Sequence, residues 1–233
     1  MKPSYKNIKP CFIFVWLIAI GLLNFAPCHA QDKCFSKGNF VINAGVGFSL
    51  YRYTAQLKSD NSSETNLAVS RIGRLSIEHA FKNYWSMGVL GKRNIYITEV
   101  DSATGKKPDI FSYDLLLFSN LHFVRTRHVD VLWGLGYGFS TFTYNTRDQQ
   151  ISQATGTGGS FETWLQSRFH FGKHLGFNLN LGYVRNNYNS LDFQNRTTSL
   201  PDALSLRGGG VHFGVGLLFK FFANKYNHSN TQD

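Results

Sequence analysis

Three histidines stand beside residues that could make them bases. His79 neighbours Glu78 and Ser76, His122 neighbours Asn120 and Ser119, and His170 follows Ser167. Ser–His hydrolysis needs a hydroxyl and an imidazole within hydrogen-bond reach, and a third group that orients the ring. Metal chemistry has less to draw on. The histidines lack the i, i+4 spacing of a helical zinc site, and Cys34 is the only cysteine beyond the first thirty residues. Gly134-Leu135-Gly136-Tyr137-Gly138 and Gly208-Gly209-Gly210 resemble phosphate-cradling loops, but the first lies within an alternating stretch and neither leads into a helix. Inward glycines that make room for larger neighbours explain them more simply.

The elements that carry these residues are strands. In the last stretch, 208–222, the residues Val211, Phe213, Val215, Leu217, Phe219 and Phe221 alternate with His212, Gly214, Gly216, Leu218 and Lys220. Successive side chains of a strand point to opposite faces, so one face is apolar and bulky and the other small or polar. The same alternation marks strands over 39–53, 67–81, 84–97, 109–125, 128–144, 159–171 and 174–184. Arg71 and Ile72 break phase in the second, which predicts a bulge there. The connections alternate in length. Tight turns are expected at 82–83, 126–127 and 172–173, and polar loops at 54–66, 98–108, 145–158 and 185–207.

The beginning of the chain reads as a targeting leader. Lys2, Lys6 and Lys9 precede an apolar run from Cys11 to Leu23, and Cys28-His29-Ala30 supplies small residues for cleavage, so a mature chain is expected from about Gln31. Pro27 ahead of Cys28 argues against lipidation at that cysteine. One remaining cysteine allows no intramolecular disulfide. Lys and Arg outnumber Asp and Glu by 24 to 14, and removing the three leader lysines takes the net charge from +10 to +7. These cations are scattered rather than gathered in a helical stripe, which speaks against nucleic acid and for anionic lipid headgroups or lipopolysaccharide phosphates.

After the leader no run approaches the ~20 apolar residues of a membrane helix, so any span must be built of strands. Hydrocarbon offers no partner to an open backbone group, and a sheet that crosses it must close on itself. The expected fold is therefore an all-β, eight-stranded antiparallel up-and-down transmembrane β-barrel over residues 39–222. A short periplasmic segment, 31–38, precedes it and a polar tail, 223–233, follows. Phe81, Tyr84, Trp85, Phe123, Phe169, Phe171, Phe219 and Phe221 fall at the short-turn end and are read as an interfacial girdle. Eight strands enclose a lumen that side chains can fill. Arg74, Glu78, Lys92, Asp114, Glu162, Arg168, His170 and Lys220 are phased inward and are expected to form a hydrogen-bonded polar plug, since charges away from water need partners.

In its leader, strand pattern and closing Gly214-x-Gly216-x-x-Phe219-x-Phe221 strand, the chain resembles small outer-membrane β-barrels. These include the OmpA transmembrane domain, OmpX-like proteins and the PorT-like barrels of Bacteroidetes-type envelopes. The resemblance covers residues 39–222 and implies an outer-membrane location in a Gram-negative bacterium, with both termini periplasmic. It also implies handling by the barrel-insertion machinery and contact with outer-membrane lipids and lipopolysaccharide. Such families include lipid A deacylases and acyltransferases, and Tyr226-Asn227-His228-Ser229-Asn230 loosely echoes a deacylase string, with the wrong spacing and outside any strand. The His79, His122 and His170 groupings lie at the short-turn end, away from the outer leaflet, where His212 stands almost alone. These histidines therefore read as interfacial or lumenal polar residues. The expected function is a non-enzymatic structural or surface-interaction barrel without cofactor or metal. Arg185, Tyr188, Phe193 and Arg196 of the last loop are the candidate contacts to an external ligand or envelope protein. The alternatives are a lipid A-modifying enzyme, a narrow channel, and an accessory barrel of a secretion apparatus.

Overall fold

The computed structural model describes residues 34–57, 63–98, 105, 107–145, 153–194 and 204–221. The chain divides into residues 1–32 and 33–233, and everything described belongs to the second unit. The leader, Arg196 and the tail from 222 onward lie outside the described residues. Eight strands run in chain order: β1 (Phe40–Leu57), β2 (Ser63–Lys82), β3 (Trp85–Ile97), β4 (Asp109–Arg125), β5 (Val129–Asn145), β6 (Gln153–His170), β7 (Leu175–Gln194) and β8 (Leu204–Phe221). Each pairs antiparallel with its neighbours, and β8 returns to β1 to close the barrel. That seam runs unbroken from Phe40 opposite Phe221 to Leu57 opposite Leu204. Closure leaves no strand edge without a partner.

The alternation sorts the chain into a wall and a filling. Val46, Leu117, Phe139, Leu181 and Leu217 are exposed on the outside, while their neighbours Ser49, Ser140, Asn178 and Asn180 are buried inside. A water-soluble barrel would place these sets the other way round; this exterior is matched to acyl chains. At the short-turn end Phe81, Tyr84, Phe123, Phe171, Phe219 and Phe221 are exposed, and Trp85 and Phe169 are half-buried. Phe81 lies against Trp85 at 5.9 Å, and Phe171 stacks on Phe177 at 5.4 Å. The β6–β7 turn depends on Gly172, whose φ of 106° is a backbone state that glycine adopts without strain.

Several details depart from the sequence reading. Strands β1, β2, β6, β7 and β8 run further toward the long loops, because the ladder continues through segments that composition marks as loop. Asn186, Asn187 and Asn189 suggest turns, yet β7 pairs with β6 as far as Gln194 opposite Gln153. The first tight turn is Asn83-Tyr84, one residue later than expected. No bulge occurs at Arg71–Ile72: the β1–β2 register passes through both, with Arg71 facing out and Ile72 buried in the lumen. The irregularities lie instead at Ala80/Lys82, His122/Val124 and Gly156/Gly158.

Candidate functional site

All eight residues phased inward lie in the lumen, and each is buried. With Asp130 they include four anions (Glu78, Asp114, Asp130, Glu162) and four Lys and Arg cations (Arg74, Lys92, Arg168, Lys220), so the buried charges among the described residues balance before the histidines are counted. Partial neutralisation of this kind is what a low-dielectric interior requires. The charges fall into two groups, one above the other.

The middle group is centred on Glu162. Lys92 reaches across the lumen from β3 to β6 and donates to Glu162 Oε2 at 2.6 Å, with Asp114 Oδ2 at 3.1 Å. Arg74 Nη1 and His212 Nε2 lie 3.8 and 3.4 Å from Glu162 Oε1. Asp114 also accepts from Ser140, and from Asn94 at 3.1 Å. Ser140 in turn lies 2.6 Å from the Tyr188 hydroxyl.

The group nearer the short turns is centred on His122. Its Nδ1 lies 2.8 Å from Asp130 Oδ1, and its Nε2 lies 3.2 Å from Glu78 Oε1 and 3.0 Å from Ser86 Oγ. Ser86 donates to Glu78, and so does Arg168, which also lies 3.7 Å from Asp130. Gln166, Asn178 and Asn43 carry the network to the opposite wall, at 2.8 and 2.9 Å. Serine, histidine and aspartate here have the connectivity of a hydrolytic triad. The donor count differs, however. Each ring nitrogen faces a carboxylate oxygen and donates to it, so the ring is held as an imidazolium with no lone pair for the Ser86 proton.

None of the groupings read from sequence forms. Glu78 and Ser76 point inward and His79 outward; Ser119 is on the outer face, where it accepts from Trp85 Nε1 at 2.7 Å. Ser167 likewise faces away from His170. In a barrel the chemical partners of an inward side chain come from neighbouring strands, as Ser86, His122 and Asp130 do, or from across the lumen, as Arg168 and Glu78 do, and not from the adjacent position in the chain. Asp130 and Ser86 were the residues missed, and the alternation around Asp130 already turned it inward.

The lumen is also not a purely polar plug. Leu90, Leu116, Phe118, Leu132 and Trp164 form an apolar cluster on the β3–β6 side. Glycine makes it possible: a Cβ on Gly134 would lie 2.1 Å from the Trp164 ring, and one on Gly88 would lie 2.6 Å from Phe118. At the long-loop end Tyr51, Tyr96, Phe142, Val184, Tyr188, Leu191 and Leu206 pack into a second cluster. Tyr188, expected as a loop contact, is therefore fully buried, bonded to Ser140 and to Asn186 at 3.2 Å. Arg185 is exposed on the outer face of β7, while the Phe193 side chain and Arg196 lie outside the described residues.

The short-turn mouth is closed by residues ahead of β1. Cys34 and Phe35, in the segment that precedes the first strand, are buried against Val41, Ala80 and Leu218. The Phe35 ring stacks on His122 with centroids 3.7 Å apart and planes at 14°. Cys34 N–H donates to Thr126 O at 3.0 Å, and Lys220 Nζ donates to Cys34 O at 2.6 Å. Burial, reinforced by Asp130, pushes the Cys34 thiol up to about 12. Gly38, with φ at 85°, turns the strap into β1. Among the described residues no group of three or more His, Cys, Asp or Glu is placed to hold a metal ion.

The closed eight-strand ring, the outward apolar wall and the side-chain-packed lumen give the chain the fold of the small outer-membrane β-barrels. The fold matches that of the outer membrane protein OprG from Pseudomonas aeruginosa, with a TM-score of 0.51 at 15% identity over 81% of this chain and 98% of that one. It also matches the outer membrane protein AlkL, whose structure was determined in DMPC lipid bilayers, with a TM-score of 0.52 at 12% identity over 86% and 97%. No protein-family model and no curated protein matches the sequence.

Proposed function

We propose that the chain is a non-enzymatic outer-membrane barrel whose short turns and termini face the periplasm, and which acts through the surface its long-loop end presents to an external ligand or envelope protein. One observation carries this reading. Among the described residues the lumen holds two groups of ion-paired charges, an apolar cluster and an aromatic cluster at the long-loop end, which leaves the wall and the long-loop end as the surfaces where contact is made. Strands β7 and β8 lengthen that end into a supported projection, with Arg185, Asn187 and Asp192 exposed along β7. Planar-bilayer recording of the folded protein and incubation with labelled lipid A test it together. Neither conductance steps nor acyl loss or transfer are expected, and either would overturn it. An epitope inserted within 146–152 is expected to be reached by antibody on intact cells, and one at the C-terminus only after permeabilisation.

A lipid A-modifying enzyme is the second reading, favoured by the Ser86–His122–Asp130 connectivity alone. It requires the Phe35 ring to leave His122 and the imidazolium to lose a proton. If this reading holds, Ser86→Ala abolishes an activity that the wild type displays.

A further inference from the structure

The outer wall carries a break in its apolar surface where β1, β2 and β3 cross the middle of the barrel. Outward positions elsewhere on these strands are bulky, but here they are Ala44, Gly73 and Gly91. A Cβ at Gly73 would meet nothing within 4 Å, and one at Gly91 only the Leu75 carbonyl at 3.9 Å. Neither glycine has a positive φ. Nothing inside the protein therefore calls for glycine at either place, and the consequence of both lies outside. The missing side chains open a groove of ≈ 870 Å³, walled by Val46, Leu75, Val215 and Leu217.

Arg93 closes the upper end of this groove and also borders a second, polar hollow toward the long loops, shared with Arg71 and Lys107. Arg93 sits opposite Gly73 and Arg71 opposite Ile95, so the two guanidinium groups are diagonal neighbours on one face. The Arg93 guanidinium lies 5.8 Å from the Phe111 ring and 5.4 Å from the Tyr113 ring, contacts that orient it while leaving its donor fork available. No carboxylate among the described residues pairs with Arg71 or Arg93. Asp109 also borders the hollow, against three cations. Arg93 is eight residues above Trp85, or about 20 Å along the barrel axis for a strand tilted by about 40°. That height is close to the upper edge of a hydrocarbon band of about 25 Å.

An apolar trough ending under unpaired arginines at headgroup depth is the complement of one kind of molecule. We infer that this face of β1–β4 binds a lipid A molecule, one acyl chain lying in the Gly73–Gly91 groove and a phosphate held by Arg93 and Arg71. Arginine suits the role because its planar fork bonds two phosphate oxygens at once. The choice of lipid A rests on the orientation proposed above, which puts the long-loop end in the outer leaflet.

Native mass spectrometry of the full mature chain in detergent, titrated with lipid A, tests the site without depending on orientation. One lipid A is expected to stay bound. Its affinity is expected to fall at least tenfold in Arg71→Gln/Arg93→Gln, and similarly in Gly73→Leu/Gly91→Leu. The leucines point into open space, so both variants are expected to keep the heat-modifiable mobility of a folded barrel. Equal binding by folded variants and wild type overturns the inference, as does equal affinity for phosphatidylglycerol. If lipid A binding passes these tests while the epitope experiment places the long loops in the periplasm, it is the orientation that fails and not the site.

Discussion

The two ends of the lumen follow different rules. Near the short turns the wall is apolar and the interior ionic, with Glu78, Asp130, Arg168 and His122 linked beneath Phe35. Toward the long loops the interior is aromatic, built on Tyr51, Tyr96, Phe142 and Tyr188, and the wall begins to carry charge at Arg52, Arg71, Arg93, Arg185 and Arg207. The first end is built for hydrocarbon; the second approaches the pattern of a protein in water. The strands outlast the bilayer, and the alternation keeps its period while its chemistry turns over.

Four measurements press on that contrast. The largest expected effect is at the short-turn mouth, where a thiol raised to about 12 should react with maleimide at pH 8 about three orders of magnitude more slowly than an ordinary cysteine. Phe35→Ala, which removes the ring beside it, is expected to restore most of the rate. Next is the ionic network: Glu78→Ala leaves Arg168 and His122 short of a carboxylate and should cost about 3–5 kcal/mol in urea unfolding from lipid vesicles. Third, Leu217→Arg in the middle of the wall should cost about 2–4 kcal/mol, while Val69→Arg, close to the long loops, should cost at most about 1 kcal/mol. Equal costs at the two heights would remove the contrast. The smallest effect is at the aromatic end, where Tyr188→Phe gives up the bonds to Ser140 and Asn186 and should cost about 1 kcal/mol in the same assay.

The same contrast explains what the sequence revealed. Period-two alternation with apolar residues outward is easy to read between the short turns and mid-barrel, and it placed Arg74, Lys92, Asp114, Glu162 and Arg168 inside. It misled where the chemistry turns over. Arg71 and Ile72 looked out of phase, although their directions are regular and only their polarity has changed sides. Tyr188 falls within 185–207, which reads as a polar loop, yet Asn186 accepts from Ser160 at 2.8 Å and donates to the Tyr188 hydroxyl within the lumen. Cys34 and Phe35 gave no signal at all. A strap too short for periodicity is placed by its tertiary contacts, here the β2 and β8 walls and the His122 ring. The network around His122 was hidden for a related reason, since Ser86, His122 and Asp130 come from three strands and only the register unites them.

The membrane placement turns on which way the wall faces, and spin labels read that directly. In a Cys34→Ser background, single cysteines at Leu117 and Leu181 on the outside and at Ser140 and Asn180 in the lumen are labelled and the protein is folded into lipid vesicles. Labels at 117 and 181 should collide freely with dissolved oxygen and hardly at all with a water-soluble nickel chelate, whereas labels at 140 and 180 should be shielded from oxygen by the wall. The reverse pattern, with 117 and 181 shielded from oxygen and 140 and 180 open to the chelate, would contradict the barrel's place in the membrane.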